Sequence, residues 1–446
     1  NTTADNNTAV GFQSLKANTT GTQNVAVGSI SAVTNTTGCY NTALGHASLY
    51  NNSTGCYNTA LGNFAGNDNT TASYNTSVGY FSLKANTTGA QNTMVGALSG
   101  DAITTGQYNV GMGVHAVGST TDAEGNTGLG YNSLFANTTG DHNTAVGRNS
   151  LDANTTGADN TAVGKDALTA NTTGTENVAV GVSAGAANTT TSCNTYVGQN
   201  AGAANTNGDN VAIGTAALCA SGDGYQNTAV GHRAMCSNTT GFKNVAVGNQ
   251  ALKSVTTGDQ NTAIGSCAGD ALTTGNSNIY VGYLTDSSSG GVDAEIAIGL
   301  GIQGSGGSSV TIGSGAGIIY NNYTQNATWT QSSDRRLKNN IQNDTLGLSF
   351  INRLNPVTYN WKPSNEIDKN LPYYREVNEK DTDITMHGLI AQEVKEALDI
   401  EGIDTFAGWD TRNDGVQVIS REMFITPLIN AIKELKSQNE DLKSRI

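Results

Sequence analysis

The side chains with chemistry to offer in this sequence are six cysteines, five histidines and a long file of asparagines. Cys39 and Cys56 are 17 residues apart, and so are Cys219 and Cys236. If the chain stacks with that period, each pair stands on adjacent rungs ~4.8 Å apart. That is within disulfide range, but the side chains point in parallel and aim poorly at each other. They read as free thiols filling repeat positions. No CxxC and no Cys/His cluster occurs, so no metal site and no cofactor is expected. The asparagines say more. Asn7, Asn24, Asn41, Asn58, Asn75, Asn92, Asn109, Asn126, Asn143, Asn160, Asn177, Asn194, Asn210, Asn227, Asn244, Asn261 and Asn278 each stand four residues before a glycine. An amide held at one phase of a stacked repeat can hydrogen-bond to its neighbours in the ladder and to the backbone of a nearby corner. Tyr40, Tyr57 and Tyr74 form a shorter column, readable as a carbohydrate platform or as ordinary surface decoration. Asn-x-Thr sequons (Asn18, Asn86, Asn137, Asn154, Asn171) follow from a recurring turn motif and need not be glycosylated.

The elements that must carry these residues follow from the period. The glycines run from Gly11 to Gly282 in steps of 17, with a single step of 16 before Gly214. Each is preceded by Val, Ile, Leu or Met. Ser or Ala stands three residues after it in every repeat but the last, and a Thr-Thr-Gly turn often follows. A fixed short period with fixed columns marks a solenoid. Seventeen residues are too few for a helical hairpin, and Thr-x-Val and Val-x-Val triplets favour strands, so the expected fold is mainly β: a parallel β-solenoid or β-roll. Val, Leu and Ile are expected to fill a narrow interior, with Ser or Ala where only a small residue fits. Residues 1–282 form this shaft. Residues 283–331 hold two degenerate rungs, at Ile296–Gly299 and Val310–Gly313, and a connector. Because Asn1-Thr2-Thr3 matches Asn18-Thr19-Thr20, the sequence starts in mid-rung, and a longer polypeptide with an N-terminal attachment region is expected.

Composition changes near residue 330. All four prolines and all three tryptophans lie at or beyond Trp329. Residues 1–330 hold 7 Lys and Arg against 17 Asp and Glu, and residues 331–446 hold 15 against 19. A rod this acidic cannot neutralise a phosphate backbone, which excludes nucleic acid as a partner. No apolar run approaches the ~20 residues that span a bilayer, so no membrane insertion is expected. Residues 332–446 read as a separate α+β domain ending in a helix over 424–446. There Ile425, Leu428, Ile432, Leu435, Asn439, Leu442 and Ile446 follow the 3-4 spacing of a coiled-coil seam, with Asn439 at a core position that fixes register. The seam alone does not set the number of strands. Parallel stacking of a 17-residue repeat tolerates slippage by whole rungs, so a rod of this kind needs a device that sets register.

Two resemblances add to this reading. The motifs Asn24-Val25-Ala26-Val27-Gly28 and Asn244-Val245-Ala246-Val247-Gly248 resemble the head repeats of trimeric autotransporter adhesins, a family with a shorter usual period. That resemblance implies a trimeric β-roll adhesin. In the C-terminal part, Ser333–Ile341, Gly347–Tyr359 and His387–Val394 occur in that order. They resemble the intramolecular chaperone domain of phage tailspikes, tail fibres and endosialidases, of which a relative occurs in the myelin regulatory factor family. This implies a homotrimer whose C-terminal domain templates the fibre and then cuts itself off. It also assigns Ser333 as the cleavage residue, Lys338 as its partner, Asp334 beside the scissile region and His387 at a functional position. A serine hydroxyl needs a base at neutral pH, and a lysine serves only if burial and neighbours lower its pKa. The expected protein is therefore a structural tail-fibre shaft of a virion or an extracellular surface, which meets a carbohydrate or protein receptor on a host. Its chemistry is at most one self-cleavage of the Ser-Lys type. The alternatives are a bacterial adhesin of the autotransporter type, or a polysaccharide-depolymerising tailspike whose catalytic domain lies N-terminal to this sequence. Ice binding is disfavoured, because the Thr columns are broken by Val and Ala.

Overall fold

The computed structural model describes residues 3–446 except 221, 316, 325–329, 332–333, 370, 372–373, 375, 379–381 and 413–414. It divides into two compact units, Asn1–Ser332 and Ser333–Ile446.

In the first unit every 17-residue repeat contributes one strand of three residues, from β1 (Thr8–Val10) to β17 (Ile279–Val281). Each strand pairs in parallel with the next, in strict register, as in Thr8↔Val25, Ala9↔Ala26 and Val10↔Val27. Side chains alternate across a strand. The asparagine before it points in, the Thr or Val out, the Ala in, and the residue before the glycine out. Ala26, Ala60, Ala145 and Ala212 are fully buried, whereas Val10, Leu44, Leu61 and Ile264 are 57%, 43%, 43% and 46% exposed. This corrects the expectation that Val, Leu and Ile fill the interior: in the column before each glycine they face outward. Hydrogen bonding of the inward asparagine fixes the parity of the strand, and parity turns that residue outward.

The glycines after the strands have φ between +126° and +143°, a region that L side chains rarely adopt. A Cβ on Gly147 would lie 2.5 Å from the carbonyl oxygen of Gly164 in the next rung. The other corners are built by ordinary residues in the left-handed region. In the ninth rung these are Asn149, Leu151 and, just before the next asparagine, Asp159, with φ of 55°, 50° and 57°. Each such residue costs of order 1 kcal/mol. The cost is offset between rungs by bonds such as Asn149 N–H to Tyr131 O (2.9 Å) and Leu151 N–H to Ala167 O (3.0 Å). A lone rung would carry the strain without those bonds, so the rod is an array in which neighbours stabilise one another.

The interior is half apolar and half amide. Leu49, Leu83, Leu134, Leu151 and Leu168 form its apolar side beside the small Ser or Ala column. Where a bulky residue replaces the strand alanine, glycine replaces the nearby leucine. Met94 is matched by Gly100, Tyr196 by Gly185 and Gly202, and Tyr280 by Gly269, and a Cβ on Gly185 would come within 2.6 Å of the Tyr196 ring.

Beyond β17 the parallel ladder continues through longer strands, β18 (Glu295–Leu300) and β19 (Ser309–Ser314). The next two, β20 (Gly317–Asn322) and β21 (Thr330–Gln331), run antiparallel. The repeat pattern gave no sign of that reversal.

The second unit packs α1 (Leu348–Arg353), α2 (Ala391–Glu401) and α3 (Ile425–Arg445) with two short hairpins. The hairpins are β22 (Val357–Tyr359) with β23 (Met386–Gly388), and β24 (Trp409–Thr411) with β25 (Gln417–Ile419). Its core is Leu346, Phe350, Val394, Ala397, Leu398 and Phe424. Phe406 meets the Phe350 and Phe424 rings edge-on. Gly402, at φ 67°, ends α2 with its N–H on the carbonyls of Leu398 and Asp399.

Candidate functional site

Two structures on this chain carry functional weight: the amide files inside the rod and the start, groove and last helix of the C-terminal unit. The file from Asn7 to Asn278 is continuous. Each amide oxygen accepts the backbone N–H of the asparagine one rung on, as in Asn160 N to Asn143 Oδ1 (3.0 Å). Every amide nitrogen of the file except that of Asn194, which bonds to Asn177, Thr191 and Ser192 instead, crosses its own rung to a carbonyl near the turn, as in Asn143 Nδ2 to Gly157 O (2.8 Å).

A second file, which sequence reading missed, runs beside it through Asn18, Asn35, Asn52, Asn69 and Asn86, and again through Asn137, Asn154 and Asn171. Asn154 Nδ2 donates both to Asn137 Oδ1 (2.9 Å) and to Gly157 O (2.9 Å). One carbonyl thus accepts from both files in the same rung. The second file is interrupted. Ile103 and Val255 occupy its column one rung after Asn86 and Asn238, whose amide oxygens lack a hydrogen-bond partner. The five sequon asparagines named above are buried in this file. A repeated Asn-Thr-Thr-Gly in which Asn keeps its phase was the available signal.

The tyrosine column is stacked. Tyr40, Tyr57 and Tyr74 have ring centroids 4.7 and 4.9 Å apart, with planes within 4° and 6° of parallel. Rings stacked in this way cover one another's faces and offer mainly edges outward. A sugar ring stacks on a face, so the column is a poor platform for one.

Of the residues assigned to cleavage, Ser333 lies outside the described residues. Asp334 caps a short turn over Arg335–Leu337, accepting the Arg336 N–H at 2.8 Å and its guanidinium at 2.7–3.1 Å. These bonds from Arg336 hold the Asp334 carboxyl below its usual range. Lys338 closes the same turn and is exposed. His387 pairs with Thr358 across the first hairpin. His387 lines a groove of about 410 Å³ with Leu354, Leu389, Arg421, Phe424 and Leu428. Among the described residues neither Asp334 nor Lys338 belongs to that wall.

The last helix shows two stripes. Pro427 and Ala431 are buried. Asn430 Nδ2 donates to the carbonyls of Asp344 (3.2 Å) and Leu346 (3.0 Å), and Glu434 accepts the Leu348 N–H at 3.1 Å. The stripe Ile425, Leu428, Ile432, Leu435 and Leu442 is 44–64% exposed, Ile446 follows at the end of the helix, and every residue from Ile432 onward is exposed. Asn439 lies on this outward stripe, so the helix docks by one side, and from Ile432 onward its heptad seam is exposed among the described residues.

Residues 333–403 match the family described as chaperone of endosialidase. No curated protein and no solved structure matches the chain. The C-terminal unit thus carries an endosialidase-type intramolecular chaperone sequence, attached to a parallel β-solenoid of 17-residue rungs. That combination fits a phage tail fibre or tailspike protein.

Proposed function

We propose that this chain is the distal shaft of a homotrimeric tail fibre, in which the C-terminal unit brings three chains into register and then releases itself by one cleavage at Ser333. The observation that carries this reading is the outward face of the rod. Because strand parity turns out the residue before each glycine, an apolar file runs its whole length, from Val10 through Met112, Val180 and Val247 to Ile312. Nineteen parallel strands at ~4.8 Å make a stripe about 90 Å long. An apolar surface of that length marks an interface. Only a partner with the same 17-residue period can cover it evenly, and another copy of the chain is such a partner. The exposed seam of the last helix supports the same arrangement.

The exposure of Lys338 bears on timing. A lysine acts as a base only after desolvation, and in the single chain Lys338 is on the surface. Its burial must come from assembly, so cleavage follows trimer formation. Intact mass after expression tests this: a C-terminal fragment beginning near Ser333 is expected, and Ser333→Ala abolishes it. Deleting residues 334–446 is expected to give aggregated or monomeric rods. Soluble trimers from that deletion would remove the templating role.

A further inference from the structure

The amide file has a direction and an end. In all seventeen of its links the donor is a backbone N–H and the acceptor is the side chain of the preceding rung, from Asn24 N on Asn7 Oδ1 (2.9 Å) to Glu295 N on Asn278 Oδ1 (2.8 Å). Glu295 stands where the next asparagine would be, fully buried, and hands nothing on. Its Oε1 accepts the Gly306 N–H (2.8 Å), and its Oε2 accepts the Ser288 N–H (3.0 Å) and the Tyr280 hydroxyl (3.1 Å). A Cβ on Gly304 would collide with the carboxyl group. A buried carboxyl group is costly unless donors surround it, and here three do.

These donors lie 11, 7 and 15 residues from Glu295 along the chain. The hub therefore closes on short loops, at low entropic cost. The strands it anchors are also the ones that can form first. β18 and β19 pair over six residues where other parallel pairs have three, and β19 pairs antiparallel with β20, Ser314 standing opposite Gly317. Hairpins and short loops form early, and pairings of larger sequence separation later. Every other rung carries three left-handed corners and gains its bonds only from a neighbour already in place.

We propose that the end piece built on Glu295, residues 279–322, is the nucleus of rod folding, and that rungs add to it toward the N terminus. Each incoming asparagine side chain is captured by a backbone N–H already fixed in the rung before it. The end piece adjoins the C-terminal unit in sequence, so this inference rests on the chaperone reading and names the part of the rod on which that unit acts.

The test is kinetic and uses the full chain, kept uncleaved by Ser333→Ala in every variant, unfolded in guanidinium, diluted, and followed by far-UV circular dichroism. Glu295→Gln places an NH₂ group against donors. It is expected to slow formation of the β signal by about tenfold while changing the unfolding rate by less than about twofold, the signature of a group formed in the transition state. Tyr280→Phe removes a single donor and is expected to slow formation by about threefold on the same limb. Asn24→Ala, at the far end, is expected to speed unfolding and leave formation within about twofold. An unchanged formation rate in Tyr280→Phe with faster unfolding overturns the proposal, as does an equal slowing by Asn24→Ala. If Glu295→Gln does not fold, Tyr280→Phe decides. Light scattering on the wild-type chain reads the oligomer separately. A monomer there removes the trimer reading and leaves the kinetic result standing.

Discussion

The Gly157 carbonyl gives a test of how the rod's interior is held together. It accepts from Asn143 Nδ2 at 2.8 Å and from Asn154 Nδ2 at 2.9 Å, and both asparagines are fully buried. Asn143→Ala strands the Asn160 N–H, a buried backbone donor, at a cost of about 1–3 kcal/mol. Asn154→Ala removes the donor to Asn137 Oδ1 and the acceptor of Asn171 Nδ2, but Asn171 keeps its bond to Gly174 O. Its cost is about 1 kcal/mol. In either single variant Gly157 O keeps one side-chain donor, whereas the double variant leaves it none. The double variant is therefore expected to be less stable than the sum of the singles by about 1–2 kcal/mol, well outside the ~0.5 kcal/mol scatter of independent sites. Guanidinium unfolding of the full chain at fixed protein concentration measures the three free energies. Amide exchange at Asn160 reports whether the loss is local to these rungs. Additivity within that scatter would refute the shared-acceptor account and mean that water takes over the carbonyl.

Size matching in the interior yields a rescue experiment. Gly202→Leu alone is expected to be severely destabilising because it drives a side chain into the Tyr196 ring, and Tyr196→Ala alone to cost about 3–5 kcal/mol through its cavity. Together they restore the ordinary Ala and Leu pair and should recover much of the loss in thermal unfolding. In the C-terminal unit, Ile432→Asp is expected to abolish the oligomer in light scattering while leaving the circular dichroism of that unit intact, because Ile432 is exposed in the single chain. Unfolding of the unit would contradict the seam. Glu401 accepts from the Ser349 hydroxyl and from Arg353, which hold its pKa below its usual value. Its contribution to stability is thus present above the unfolded value and lost as pH falls through the lower folded one. Glu401→Gln should flatten the acid limb of a melting-temperature profile, by a small amount because the pair is at the surface.

How much of this was legible depended on whether a residue spoke in a column or alone. Seventeen asparagines at one phase announce a stacked interior, since nothing else keeps a polar residue in step with a glycine for that long. The residue before each glycine was equally regular, yet its direction could not be read. A three-residue strand fits either parity, and an apolar type favours the inside until the asparagine's hydrogen bonds are known to hold that side. The second file was hidden by its surroundings, because Asn-Thr-Thr-Gly is also a good turn. Its chemistry differs from a turn's only once a neighbouring rung supplies the acceptor. Left-handed leucines such as Leu151 carry no sequence mark at all, because their strain is offset by bonds made 16 residues away. Glu295 is the extreme case: a single acid in a degenerate repeat, where a charged residue reads as the end of order. The chain instead buries it and gives its carboxyl group three donors. That inversion has a physical basis, since periodic residues are held by copies of themselves, and the position that breaks the period must be held by something built for it alone.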